Sequence, residues 1–443
     1  MLKRFIAILT MMVLMISLCG CKAEKTDDEF EVQSEQGPSA ESKPLPEGTA
    51  LQAVPAGAQK ALIMGAEYQQ GKYDPQNLQA VQPYMEKAIR TFLADGSKEN
   101  AVFSPLNIYL ALGMLAEIEQ GQARQELLTL LGAKDLAELR GICKDLWNAH
   151  YFEEESATGL LASSVWLNDK VNYREEPLRI LAEQYHASSF QGKVGDRSYS
   201  EALQEWLNAQ TGGLLKEQIE NVSMDPRMVV MLATTVYFNA EWNDDFNESS
   251  TTMQTFHGTK GEQKAAFMKK NETNAYFEGA QFGAVTQGLR GGNSMYFILP
   301  DEDSSVEQVL QSEDFIALMQ KGHNYEQVRT AQIRFAAPKF DVSSNLDLKQ
   351  GIAAMGAPSA LDPKAADFAP LTDEYIEAIN ASHAARMLID EKGCLAAAYT
   401  VIEACGSAMP PEEIIEFTLD RPFIVLLMRE NGIPMFAGVV NYF

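Results

Sequence analysis

Cysteine, histidine and positive charge are all scarce in this chain, and each shortage closes a class of function. Five cysteines in 443 residues are too few for a disulfide scaffold. Two of them, Cys19 and Cys21, fall in a leader-like segment with its own explanation. Five histidines, His150, His186, His257, His323 and His383, lie scattered without the close spacing that a zinc site needs, so no metal and no cofactor is expected. Thirty-six Lys plus Arg stand against 61 Asp plus Glu, a net charge of −25. That field repels phosphate backbones, and nucleic acid is not expected as a partner. Phosphate-binding glycine loops are missing too, since GLRGGN at Gly288–Asn293 lacks the strand and helix such a loop needs. No motif sets a nucleophile beside a base, so the chain is not expected to be an enzyme.

What is present begins with a leader. Lys3 and Arg4 precede Phe5–Leu18, an almost wholly apolar run of 14 residues, which as a helix spans about 21 Å, short of the roughly 30 Å hydrocarbon core of a bilayer. The order reads as a cleaved export signal over residues 1–20. Leu18-Cys19-Gly20-Cys21 resembles a bacterial lipoprotein box, which implies lipid on Cys21 and a membrane anchor. Residues 21–59 carry GPSAES and KPLPEG, and eight acids against three lysines between Lys22 and Ala50, a composition that cannot bury enough apolar area to order itself. This stretch reads as an acidic tether that holds a folded part, 60–443, clear of the bacterial envelope on its extracytoplasmic side.

With 46% hydrophobic and 22% charged residues, the remainder has ample material for a core. Ala61, Leu62, Met64 and Ala66, then Met85, Ala88, Ile89 and Phe92, suggest two helices between 60 and 96. Ser104 and Pro105 supply an N-cap and a first-turn proline ahead of Ile108, Leu112 and Leu115 at helical spacing. Helix is expected again over Gln125–Leu131, Leu136–Ala149 and Ser200–Asn208. Ala162–Leu167, Met228–Tyr237, Met295–Leu299, Val328–Ala336, Phe423–Met428 and Pro434–Val440 read as strands. The class is mixed α+β without regular βα units.

Seven quoted segments then point one way. NAVFSPLNIYLALGML at Asn100–Leu115, EWLNAQTGGLL at Glu205–Leu215, VYFNAEW at Val236–Trp242, MYFILP at Met295–Pro300, APKF at Ala337–Phe340, DRPF at Asp420–Phe423 and MFAGVVN at Met435–Asn441 resemble the serpin family, in family order. The resemblance implies three β-sheets ringed by eight or nine helices, with an exposed reactive loop over about 391–412. It implies an inhibitor of serine proteases that is cut as a suicide substrate and then inserts its loop into the largest sheet, dragging the acylated protease along. The alternative on the same fold is a non-inhibitory surface binding or carrier module. A monomer is expected.

DEKGCLAAAYT at Asp390–Thr400 matches the family's loop hinge, made by Glu391, Gly393, Cys394, Ala396, Ala397 and Ala398. Gly393 is expected to free the bend, and the three alanines to enter a closing gap without spreading it. Period-two geometry turns Cys394, Ala396, Ala398, Thr400 and Ile402 inward and Leu395, Ala397, Tyr399, Val401 and Glu403 outward, where size should cost least. The family pattern is departed from at Cys394, where Thr is usual, at Leu395, where Glu is usual, and at Tyr399, where a small residue is usual. Counting the family's seventeen residues from Glu391 inclusive puts the scissile bond at Ser407–Ala408. ACGSAM at Ala404–Met409 holds no Lys or Arg, so elastase-like or subtilisin-like serine proteases are the expected targets, with a papain-like cysteine protease second.

Ser104, Asn107, Thr234 and His383 match a small polar cluster, the shutter, under the middle of the main sheet. Asn107 replaces the usual Ser and Thr234 the usual Asn, so the network should be rebuilt with different donors. Trp242 matches the tryptophan where the loop first enters, the breach. Cys143 reads as a small buried hydrophobe within a helix.

Overall fold

Helix α1, Pro105–Ile118, shows how the sequence sets the core. Ser104 Oγ accepts from the Asn107 amide at 3.1 Å, Pro105 fills the first turn, and every residue but Ala111 is buried. A helix that is apolar all round belongs inside a protein, not on its surface. It packs between the strands Val230–Glu241 and Pro434–Val440.

The computed structural model describes residues 55, 58, 60–94, 98–220, 222–375, 381–394 and 413–443. They all belong to the unit Ser42–Phe443; a second unit, Met1–Glu41, contains none of them. The sequence expectations for Cys21, for Ala396, Ala397 and Ala398, and for Ser407 and Ala408 lie outside the described residues.

Eight strands build the first sheet: β1 Lys60–Ile63, β2 Phe152–Glu154, β3 Ala157–Asn168, β4 Ser188–Gly192, β5 Val230–Glu241, β6 Phe340–Asp347, β7 Ser382–Ile389 and β8 Gly393–Cys394. Their order is β1-β4-β3-β5-β8-β7-β6, with β2 paired to β3. Long apolar runs explain the middle: β3 and β5, twelve residues each, pair antiparallel from Ala157↔Ala240 to Leu167↔Val230. Helix α2, Arg197–Gln210, lies on the outer face of β3, β4 and β5, where Tyr199, Leu203 and Trp206 meet Ala162, Trp166, Phe190 and Ala233.

The two smaller sheets expected from the sequence appear as one nine-stranded sheet. The reason is strand length. Gly261–Glu278 runs for 18 residues, pairing at one end with Thr252–Gly258 and at the other with Phe282–Leu289, while Val328–Pro338 continues the ladder to Ile414–Thr418. Eleven α-helical segments occur among the described residues, the shortest being the single turn Lys216–Ile219. The mixed α+β class expected from the sequence is thus present, with the two expected minor sheets fused into one.

One element differs outright. The first expected helix, from Ala61, is instead strand β1, whose Lys60, Ala61 and Ile63 pair with Gln191, Phe190 and Ser189 at the sheet edge. A short apolar run reads equally as helix or strand, and pairing with β4 decides it. Among the described residues no helix is long and apolar enough to cross a membrane.

Candidate functional site

The site is the line between β5 and β7. Among the described residues these strands are joined only through β8, where Gly393 pairs with Glu241 and Cys394 with both Ala240 and Ile389. Beyond that pair the two strands border an apolar cavity of about 230 Å³, walled by Val236, Phe238, Ala385 and Met387 above and by Leu112 and Leu115 of α1 beneath. A long gap flanked by two strands presents backbone donors and acceptors on both sides, which is what a further strand needs.

At the top of this slot the chain turns sharply. The Asp390 amide donates to Gly393 O at 3.1 Å, and Asp390 Oδ1 accepts from the amides of Lys392 at 2.8 Å and Gly393 at 3.3 Å, tightening a four-residue hairpin. Trp242 clamps it from the side. The Trp242 indole Nε1 donates to Asp390 O at 2.9 Å, its backbone amide donates to Lys392 O at 3.0 Å, and its ring packs edge-on against Phe246 at 5.6 Å.

Glu391 is held as firmly. Its carboxylate accepts from Thr251 Oγ1 at 2.8 Å and pairs with Lys339 Nζ at 3.1 Å, and its carbonyl accepts from the Phe246 amide at 3.0 Å. Burial pushes this carboxyl up, but the bonds from Thr251, its own backbone and Lys339 outweigh that and hold it below the usual carboxylate value. Neither Thr251 nor Lys339 was singled out from the sequence. Their distance along the chain leaves no local signal, although Lys339 does stand inside the APKF segment.

Gly393 is needed for a reason other than the expected one. Its φ is not in the left-handed region, so it frees no unusual bend; instead a Cβ there would lie 2.2 Å from Ala240 O and 2.9 Å from Glu241 Cα. Only glycine lets β8 approach β5 this closely. Cys394 next to it is 4% exposed, and burial, aided by Asp390, pushes its thiol up to about 12. It behaves as a small apolar side chain, as does Cys143, also buried and reduced.

Further down, the structure brings Ser104, Asn107, Thr234 and His383 together. The Ser104 amide donates to His383 Nε2 at 2.9 Å, and Asn107 Nδ2 donates to the Thr234 carbonyl at 3.2 Å. The exchange of residue types has a geometric counterpart: the amide donor comes up from helix α1, and the strand offers only its backbone. Burial lowers His383 to about 4, so the ring is neutral at pH 7 with Nε2 free to accept. Among the described residues Asn107 Oδ1 and Thr235 Oγ1 are buried without a partner.

The outer face of the slot corrects the sequence expectation that size costs least there. Alternate residues of β5 go to different layers: Val236, Phe238 and Ala240 join the main core, whereas Met231 and Ala233 pack under α2. Tyr237, 4% exposed, faces the turn after α2, whose Gly212 Cβ position is 3.1 Å from its ring. An incoming strand would therefore be covered on both sides. Among the described residues no cluster of three or more His, Cys, Asp or Glu side chains could hold a metal ion.

Comparison with known proteins follows the same line. A family model described as Serpin (serine protease inhibitor) matches residues 86–442. Serpin-ZX of Arabidopsis thaliana is 26% identical over 363 residues, covering 77% of this chain and 91% of that protein. Among solved structures, the thermophilic serpin tengpin in its native state matches with a TM-score of 0.75 at 23% identity, covering 87% of this chain and 99% of that one. Human thyroxine-binding globulin complexed with thyroxine matches with a TM-score of 0.71 at 21% identity, covering 83% of this chain and 98% of that one. These matches require one correction. No enzyme is expected from the sequence; likeness to protease inhibitors, which are usually not enzymes, does not positively exclude catalysis, so that expectation does not stand as an exclusion.

Proposed function

The chain belongs to the serpin family, whose members are typically protease inhibitors, and on that premise we propose that it inhibits a serine protease as a suicide substrate. In this reading the protease's serine attacks the Ser407 carbonyl, the Ser407–Ala408 amide bond breaks as the acyl-enzyme ester forms, and Ala408 leaves as the new N-terminus of the downstream chain. The segment that follows Cys394 then slides between β5 and β7 before the ester is hydrolysed. The visiting enzyme supplies the nucleophile and oxyanion hole. The supporting observation is β8: two hinge residues already pair with both flanking strands at the mouth of a slot that continues beyond them.

Small residues around the bond favour elastase-like or subtilisin-like targets, because a pocket with a buried carboxylate would gain no paired charge from ACGSAM. Incubation with pancreatic elastase and with subtilisin tests this. An SDS-stable complex with release of a peptide beginning at Ala408 is expected, and cleavage without complex would overturn it. Anchoring through lipid on Cys21 completes the proposal, placing the inhibitor at the outer side of a bacterial envelope; intact mass of the exported chain would carry the lipid increment.

A second reading has one observation in its favour, the likeness in fold to a globulin solved with thyroxine. In that case the chain is a carrier whose loop stays static after nicking. The same incubation separates the two, since a carrier yields only nicked product with an unchanged melting temperature.

A further inference from the structure

We propose that Arg386 is a positioning residue for loop insertion: it pins the turn at Leu214 over the slot and so sets how fast a strand can pass beneath it. The inference rests on the inhibitory reading above and names a control on the same site.

The sheet divides at the slot into two halves with different attachments. Helix α2 rides on β3, β4 and β5. It ends at Gly212 and Gly213, with φ of +58° and +81°, and the Gly213 amide reaches back to Asn208 O at 2.9 Å. These left-handed glycines end the helix and swing the chain across the outer face of β5, over Tyr237. The turn thus leaves the helix on the β5 half, and the single helical turn Lys216–Ile219 that follows it reaches β6 of the other half.

Arg386 belongs to the other half, on β7. Its guanidinium forks onto the Asp341 carboxylate of β6, Nε to Oδ1 at 2.7 Å with Nη2 on Oδ2, and Nη1 donates to Leu214 O at 3.1 Å. The fork fixes the plane of the guanidinium, so the third bond is delivered from a rigid base instead of a swinging side chain. At 18% exposure the side chain is mostly withdrawn from water, where such a bond is stronger than at an open surface.

Register places this strap across the path of the loop. Gly393 lies opposite Glu241, and Cys394 opposite both Ala240 and Ile389. Carried on without a bulge, the same pairing sets Ala397 opposite both Tyr237 and Arg386, side by side on the outer face. An incoming strand would seat Cys394 and the next two residues freely, then meet the strap at Ala397. Further insertion requires the turn to lift, and lifting it breaks the Arg386–Leu214 bond. This also assigns a use to alanine at 397, since a larger side chain would reach the guanidinium first.

The test uses the full chain nicked at its loop by excess elastase, with insertion followed by intrinsic tryptophan fluorescence and global stability by urea unfolding of the uncut protein. Arg386→Ala is expected to insert about tenfold faster than wild type, the rate equivalent of about 1.4 kcal/mol. Arg386→Lys keeps one donor without the fork and is expected to fall between the two. Asp341→Asn, which loosens the fork and leaves the arginine, is expected to accelerate insertion by a few-fold. Equal insertion rates in all four proteins, with the nicked wild type still gaining stability, would overturn the strap and leave the inhibitory reading standing. A nicked wild type that gains no stability would overturn both. A merely structural Arg386 would lower the urea midpoint without accelerating insertion, and that result also counts against the strap.

Discussion

The top and the middle of the slot are built on opposite principles. At the top, Trp242, Thr251, Lys339 and Asp390 satisfy the hinge with charge-assisted and backbone bonds, and Gly393 brings two backbones into close contact. In the middle, the polar ties between the start of helix α1 and the sheet are one bond to a neutral imidazole and one from a carboxamide, and Asn107 Oδ1 and Thr235 Oγ1 stay unpaired among the described residues. A fully bonded region resists change, whereas a buried polar atom without a partner costs free energy until something supplies one. The hinge is therefore fixed in place at the point where a strand starts, and the interior of the slot stands to gain from a strand that arrives.

The comparison can be broken most severely at Gly393. Gly393→Val puts side-chain atoms into the Ala240 carbonyl and is expected to expel β8 from the sheet, at about 3 kcal/mol or more. Loss of SDS-stable complex with retention of the folded far-ultraviolet spectrum checks it; normal inhibition by this variant would show that the tight top is dispensable.

Acid should loosen the middle next. His383 is buried and neutral, with its folded value near 4 against an ordinary 6.5. In that interval the unfolded chain binds the extra proton and the native chain does not, so stability present above pH 6.5 is lost as pH falls toward 4. The loss is on the order of 2–3 kcal/mol. Urea midpoints across that range check it, and His383→Phe should remove one share of the slope while leaving that of His150, which burial also lowers to about 4.

Much of this was readable from the chain and some was not. Ser104 as an N-cap, α1 as a core helix and the central strand β5 follow from local rules, because a cap, a proline and an uninterrupted apolar run act within a few residues. The departures at Asn107 and Thr234 were visible as unusual residue types, but that the carboxamide would donate to a strand carbonyl depends on how helix and sheet meet. Glu391 was placed in the hinge by resemblance, yet its partner Thr251 lies 140 positions away, and no local pattern links them. The reason for Gly393 was misjudged for the same cause: steric contact with Ala240 belongs to the assembled sheet, not to the dipeptide. Strand β1 was missed because an edge pairing overrides the weak helical spacing of its apolar residues.

Two smaller effects sharpen the contrast. Glu391→Gln removes the charge that meets Lys339 while keeping the length of the side chain. With Lys339 partly exposed, the expected cost is about 1–2 kcal/mol, read from the urea midpoint and diminished at high salt. Asn107→Ala deletes the bond to Thr234 and with it the unpaired Oδ1, so the two changes partly offset each other and the loss should stay near 1 kcal/mol or below. A cost at Asn107 larger than that at Glu391 would reverse the proposed division between a bonded top and a sparse middle.

The most direct measurement is amide hydrogen exchange along Val230–Glu241 and Ser382–Ile389, taken on the uncut chain and again after nicking. Insertion predicts that slot-facing amides of both strands slow sharply once the loop is cut, while the Gly261–Glu278 strand of the other sheet changes little. Unaltered exchange in β5 and β7 after complete nicking would contradict the account.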